Sequence, residues 1–170
     1  MEKEKRLTEE NRSIVSIREL TSDDWKDYEL LRHEMLRSDP EAFPPQAYYD
    51  LRDAEDVWRR RIEQGIVLVA YNNGSPIGMV RATFDSDKSR VWNMYAQKEY
   101  RGAGVGKKLM GELMTKIIAR GVKLVDLEVE DTQVLARMMY ENTFGFKESG
   151  RVPNERGGYM ITMQKTLDQI

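Results

Sequence analysis

Apolar and polar positions alternate from Ser13 to Leu20, around Val15 and Ile17, and predict a strand. The period then changes. Trp25, Tyr28, Leu31 and Met35 recur at helical spacing, with Thr21 or Ser22 as the cap and Asp23 and Asp24 in the favourable first turn. This helix ends near Ser38-Asp39-Pro40, and the stretch from Pro40 to Tyr49, with three prolines and three aromatics, predicts a structured loop. Ala54 to Gln64 reads as a second helix, with Val57, Trp58 and Ile62 inward and Gly65 closing it.

Ile66 to Tyr71 and Pro76 to Phe84 flank Asn72-Asn73-Gly74-Ser75, and Asn-Gly between apolar runs predicts a hairpin. A polar turn over Asp85 to Ser89 precedes a third strand, Arg90 to Ala96. Leu109, Leu113 and Ile117 mark a helix that runs to Arg120 and closes at Gly121. Lys123 to Val129 predicts a strand, Thr132 to Asn142 a helix, and Phe146 to Arg151 with Tyr159 to Lys165 a last strand pair. The order is β-α-α-β-β-β-α-β-α-β-β: one α/β domain over residues 14–168, behind a polar, frayed leader over residues 1–13.

A chain of 170 residues can bury roughly two-thirds of its unfolded surface in a single core. With 40% hydrophobic and 33% charged residues, it has the balance of a soluble globular protein. A net charge of −2 argues against bulk binding to nucleic acid or to an anionic membrane. No apolar run approaches a membrane span, and the first thirteen residues lack the apolar core of a secretory signal, so the expected setting is cytoplasmic. There is no cysteine, which excludes disulfides, thiolate metal sites and a cysteine nucleophile. The one histidine, His33, sits in the first helix and reads as an ordinary helix residue. Catalysis must therefore come from carboxylates, tyrosines, backbone donors or a bound cosubstrate.

The densest chemical signal is Arg101-Gly102-Ala103-Gly104-Val105-Gly106-Lys107-Lys108, between the third strand and the next helix. Glycine at every second position leaves backbone N–H groups uncovered and permits positive φ. At a helix N-terminus, such groups bind phosphate. Lys107 and Lys108 oppose the helix dipole there, which an anion would explain; a solvated turn with two surface lysines is the plainer alternative. The spacing misses a Walker A loop by one residue, and Lys108 stands where a magnesium-holding hydroxyl would be. It is not G-x-G-x-x-G either, and four polar residues separate it from the strand.

The run Met94-Tyr95-Ala96-Gln97-Lys98-Glu99-Tyr100-Arg101-Gly102-Ala103-Gly104-Val105-Gly106 resembles the cofactor motif of the GNAT superfamily of acyl-CoA-dependent N-acetyltransferases. Ala96 and Lys98 depart mildly, from Val and Pro. Leu127-Glu128-Val129, then Gln133, Ala136 and Tyr140, then Gly145-Phe146, resemble a second motif of that family, roughly thirty residues on. Gln133 stands where Asn is usual, and four rather than three residues separate Tyr140 from Gly145, which predicts a wider helix end. The resemblance covers about residues 14 to 167.

It implies a mixed, mostly antiparallel central sheet flanked by helices, with acetyl-CoA as acetyl donor, an amine as acceptor and no metal. The backbone of Met94, Tyr95 and Ala96 would pair with pantetheine. Arg101, Gly102, Ala103, Gly104, Val105, Gly106 and Lys107 would hold the pyrophosphate, and Gln133 and Ala136 would flank the pantetheine arm. Tyr140 is the candidate general acid toward the leaving thiolate, or else a core aromatic. Glu128 is the candidate general base, or else a solvent-facing glutamate, with Glu130, Asp126 or a water chain able to do the same work. The acceptor is expected where the first two helices and their loop meet the sheet, near Asp39, Glu41, Phe43, Tyr48 and Tyr49, since carboxylates and aromatics suit a cationic amine. No nucleic acid or membrane partner is expected, and a homodimer is left open. The alternative function is a catalytically silent acyl-CoA-binding regulatory domain.

Overall fold

A computed structural model describes residues 15–38 and 40–168. The expected leader over residues 1–13 lies outside them. The helices are α1 (Trp25–Ser38), α2 (Glu55–Glu63), α3 (Val105–Ala119) and α4 (Val134–Met138). The strands are β1 (Val15–Glu19), β2 (Gly65–Asn72), β3 (Ser75–Asp85), β4 (Lys88–Ala96), β5 (Leu124–Glu130), β6 (Lys147–Pro153) and β7 (Tyr159–Thr166). They hydrogen-bond in the order β1-β2-β3-β4-β5-β7-β6. The β1–β2, β5–β7 and β6–β7 pairs are antiparallel, and β4–β5 is parallel over Lys88–Val91 only. This is the α/β class and element order expected.

The described residues divide into two compact units: those up to residue 81 together with 93–113, and 82–92 together with those from residue 114 on. In the first, Tyr28, Leu31 and Met35 of α1 and Trp58 and Ile62 of α2 form one cluster with Val67, Val69, Met79 and Tyr95 from the strands. Each such fully buried side chain contributes about 1.5–3 kcal/mol. Tyr28 meets Trp58 edge-on, with ring centroids 5.3 Å apart. Thr21 caps this region: its N–H and hydroxyl both donate to Asp24 Oδ2, at 2.8 and 2.9 Å. The loop after α1 is ordered by 3₁₀ turns at Pro40–Ala42 and Pro45–Arg52. Asn73 and Gly74, at φ 50° and 79°, make the predicted tight hairpin turn.

In the second unit, Val125, Leu127 and Val129 of β5 and Ile161 and Met163 of β7 are buried. Strand β4 starts two residues earlier than its apolar pattern indicates, because the turn before it needs only Ser86 and Asp87, with Ser86 at φ 51°. The helix expected over Thr132 to Asn142 is instead the short α4 followed by a π turn at Met139–Thr143. The extra residue before Gly145 has its physical outlet here. The ending is wide: Phe146 N–H reaches back to the Tyr140 carbonyl at 3.0 Å, and Gly145 takes φ 72°.

Candidate active site

The glycine loop belongs to the first unit and is tied at its start. Gln97 N–H donates to the Ile77 carbonyl at 2.9 Å, and Asn72 Nδ2 donates to the Tyr100 hydroxyl at 2.8 Å. Arg101 turns back, its Nε donating to the Ala96 carbonyl at 3.0 Å and its guanidinium lying 5.9 Å from the centre of the Tyr95 ring. Gly102 and Gly104 take φ 74° and 85°, and beyond each Cα the space is open to 4 Å. α3 starts at Val105, and its first helical bond runs from Lys108 N–H to the Gly104 carbonyl at 3.0 Å. The N–H groups of Val105, Gly106 and Lys107 therefore have no acceptor within the helix. Val105 itself is buried, while Lys107 and Lys108 are exposed. Three donors and the helix dipole thus meet at one open end, in a first turn that also carries two exposed lysines, an arrangement that suits a phosphate.

Met94 and Ala96 are half-buried and Tyr95 is buried. The parallel register of β4 with β5 ends at Val91, before this segment begins. Asn93, at φ 55°, breaks the regular strand conformation, and its Nδ2 donates to the Tyr28 hydroxyl at 2.8 Å.

Glu128, Gln133, Ala136 and Tyr140 lie in the second unit. Leu127 and Val129 point inward and Glu128 outward, as strand alternation requires. Its carboxylate lies 3.4 Å from Arg90, whose guanidinium is held by Asp126 through Nε to Oδ1 at 2.7 Å and Nη2 to Oδ2 at 3.0 Å. Asp126, an alternative base, is therefore engaged; Glu130 is buried, with Arg156 3.8 Å away. Gln133 caps α4, its carbonyl accepting from Arg137 N–H at 3.0 Å, and Ala136 is half-buried. Tyr140 is buried, its ring centroid 6.1 Å from that of Phe146, and burial pushes its phenol well above the ordinary tyrosine value. It stays protonated across the working range of an enzyme, as a donor to a thiolate must.

The expected acceptor region falls within the first unit. Asp39 and the side chain of Glu41 lie outside what the structure describes. Tyr48 staples the loop, its hydroxyl donating to the Pro40 carbonyl at 2.8 Å with the Leu36 carbonyl 3.2 Å away, and Tyr49 is exposed. The acids that the fold brings inward are Asp50 and Asp53, and both are matched by arginines. Arg32 Nε lies 2.8 Å from Asp50, and Arg61 Nη2 lies 3.1 Å from Asp50 and 2.7 Å from Asp53. Arg32 also stacks near Phe43, 5.6 Å from its centre. Arg81, on the same face of β3 as core residue Met79, completes the cluster and donates through Nε to the Arg61 carbonyl at 3.3 Å. The sequence pattern does not single out these arginines. Arg59-Arg60-Arg61 looks like a solvated helix face, and the usable signal was Arg81 within the apolar run Ile77 to Ala82.

The family model for the acetyltransferase (GNAT) family matches residues 18–146 of the chain. Among solved structures, the chain is similar to yncA from Salmonella typhimurium with its cofactor acetyl-CoA, at 20% identity and a TM-score of 0.74, over 92% of this chain and 95% of that one. It is similar to the paia N-acetyltransferase from Thermoplasma acidophilum in complex with coenzyme A, at 17% identity and a TM-score of 0.71, over 90% and 99%. It is also similar to the ribosomal-protein-S18-alanine N-acetyltransferase from Escherichia coli, at 20% identity and a TM-score of 0.71, over 92% and 96%.

Proposed function

The chain belongs to the GNAT acetyltransferase family, and on that footing we propose that it transfers the acetyl group of acetyl-CoA directly to a primary amine. The observation that carries this is the loop from Arg101 to Lys107. A family-wide match spans it, and its left-handed glycines lead into a helix whose first three N–H groups lack intrahelical acceptors. Those donors fit a pyrophosphate without a metal. Two similar structures, one in complex with coenzyme A and one with its cofactor acetyl-CoA, support the same cosubstrate.

Acetyl-CoA supplies the thioester. The chain's residues then have three tasks. Backbone groups of Met94, Tyr95 and Ala96 hold the pantetheine arm, flanked by Gln133 and Ala136. Glu128, directly or through water, accepts the proton that the acceptor ammonium must lose before its nitrogen forms the bond to the acetyl carbon. Tyr140 gives its phenolic proton to the sulfur as the carbon–sulfur bond breaks, so that the thiol leaves neutral, and the second proton shed by the acetylated nitrogen restores the phenol. We take the setting to be the cytoplasm, in keeping with the charged, cysteine-free composition. No helix among the described residues is long and apolar enough to cross a membrane.

Calorimetry with acetyl-CoA in the presence of EDTA, followed by thiol release across a panel of small amines and peptides, tests the proposal. Binding with thiol release on at least one amine is expected. Binding with no turnover of any amine would favour a silent acyl-CoA-binding domain, and absence of binding would overturn the cosubstrate.

A further inference from the structure

The charge in the cluster between α1, α2 and β3 does not balance. Arg32, Arg61 and Arg81 bring three positive charges, and Asp50 and Asp53 bring two negative ones. Both aspartates are taken up by Arg32 and Arg61. Arg81 is left with the Arg61 carbonyl as its acceptor, and that contact uses only Nε. Nothing among the described residues accepts from Nη1 and Nη2, the two ends of its fork. The side chain is nonetheless half-buried. Burial holds this guanidinium below its ordinary value; Tyr28 and Asp50 pull it back up, while Arg61 and Arg32 push it further down. A half-buried cation beside two others is costly unless something anionic offsets it.

The polar groups nearby match such a partner. Tyr28 is buried, its hydroxyl accepts from Asn93 Nδ2 at 2.8 Å, and its own proton remains available to donate. Arg81, Arg61 and Arg32 are the charges that bear most on that hydroxyl. A guanidinium fork and a phenolic donor together suit a carboxylate. The sum of the cluster is a single positive charge, which one monoanion neutralises and a phosphate dianion would overshoot. The cluster lies where α1, α2 and their loop meet the sheet, the region expected to take the acceptor.

We propose that the acceptor is an amine bearing a carboxylate, of the amino-acid type, and that Arg81 binds the carboxylate end-on through Nη1 and Nη2. This rests on the acetyltransferase reading and narrows its substrate class. A peptide N-terminus without a nearby free carboxylate would lack this anchor.

The experiment uses matched pairs: α-amino acids, their α-carboxamides and phosphoethanolamine. Turnover is measured by thiol release with saturating acetyl-CoA. Binding of the corresponding N-acetyl amino acids and N-acetyl amides is measured by calorimetry, which needs no catalysis. For the unmodified protein, the best carboxylate should exceed its carboxamide about ten- to a hundredfold in kcat/KM, and its N-acetyl derivative should bind tighter by a similar factor. In Arg81→Gln the ratio of carboxylate to carboxamide should collapse toward one, with affinity for acetyl-CoA within about twofold of the unmodified protein. Arg81→Lys should keep part of it. Equal use of acid and amide by the unmodified protein overturns the proposal, even if Arg81→Gln does not fold. So does preference for phosphoethanolamine, or discrimination that survives in a folded Arg81→Gln. If no amine is acetylated but N-acetyl amino acids bind through Arg81, the catalytic reading fails and the carboxylate site stands.

Discussion

Arg90 reaches Glu128 at 3.4 Å, but it is Asp126 that holds the arginine, through two bonds of 2.7 and 3.0 Å. Glu128 is thus the weaker third contact of a shared guanidinium, on the exposed face of β5. If it takes the proton of the acceptor, Glu128→Gln should lower the rate most at the acidic end of the active range. The deficit should shrink as the pH approaches the alkyl ammonium value of about 10.4. Asp126→Asn leaves Arg90 to Glu128 alone and should depress the rate in that same range without altering acetyl-CoA affinity. Parallel pH–rate profiles for Glu128→Gln and the unmodified protein would remove Glu128 from the base role.

Tyr140 sits in the π turn and packs on Phe146. Tyr140→Phe keeps the ring and removes only the proton donor. Turnover should fall roughly 10²–10⁴-fold under chemistry-limited conditions, while acetyl-CoA affinity and melting temperature stay near their unmodified values. A large loss of stability with unchanged turnover per folded molecule would make Tyr140 a packing residue.

Much of this was legible in the sequence, for reasons that particular residues make plain. The strands and helices followed from period, because Trp58 and Ile62, or Leu127 and Val129, can reach the core only at those spacings. The glycine loop was legible because positive φ at Gly102 and Gly104 is a local demand that residue type reveals. Even the widened helix end was foreshadowed by a single extra residue before Gly145. The acceptor region was not legible. Asp50 and Asp53 meet Arg32, Arg61 and Arg81 only when α1, α2 and β3 fold together, and no local pattern tells a paired aspartate from a free one. The matching of Asp50 and Asp53 by arginines is therefore a property of the folded chain alone.

Burial raises the phenols of Tyr28, Tyr71, Tyr95 and Tyr140 above the ordinary value, which is about 10 in the unfolded chain. Above that pH the unfolded chain has given up protons that the folded chain still holds. Fewer protons are bound unfolded than folded, so stability falls as pH rises. The melting temperature should hold below pH 10 and then drop. The phenolate absorbance near 295 nm should stay incomplete until the chain unfolds; with eight tyrosines in all, these four make a resolvable second phase. Complete ionisation in the folded protein near pH 10 would contradict the burial of these side chains.

Gly104 and Gly111 separate the loop's role from general stability. Gly104 has φ 85° and open space beyond Cα, so a side chain there meets no clash but strains the backbone and covers the donors. Gly104→Val should cost about 1–3 kcal/mol in stability and weaken acetyl-CoA binding at least tenfold. Gly111 lies inside α3, also in open space, and Gly111→Ala should raise stability by about 0.4–1 kcal/mol with binding unchanged. Normal acetyl-CoA affinity in a folded Gly104→Val would show that this loop is not the phosphate site.

Gly78 makes the sharpest test of the strand next to the loop. A Cβ there would stand 2.8 Å from the Tyr95 carbonyl oxygen, 3.3 Å from Val105 Cγ1 and 3.4 Å from Ala96 Cα. The first of these is backbone of β4, which cannot give way as a flexible side chain would. Gly78→Ala must therefore displace Tyr95 and Ala96, the segment proposed to pair with pantetheine, together with Val105, the first residue of α3. Overpacking of this kind costs about 1–3 kcal/mol, and the displacement should appear twice: as a lowered melting temperature and as weaker acetyl-CoA binding in the molecules that remain folded. Gly150, at which a Cβ meets nothing within 4 Å, supplies the matched control, and Gly150→Ala should change neither. If Gly78→Ala loses stability yet binds acetyl-CoA as the unmodified protein does, the backbone of Tyr95 and Ala96 is not part of the cosubstrate site, and the pantetheine must be held elsewhere.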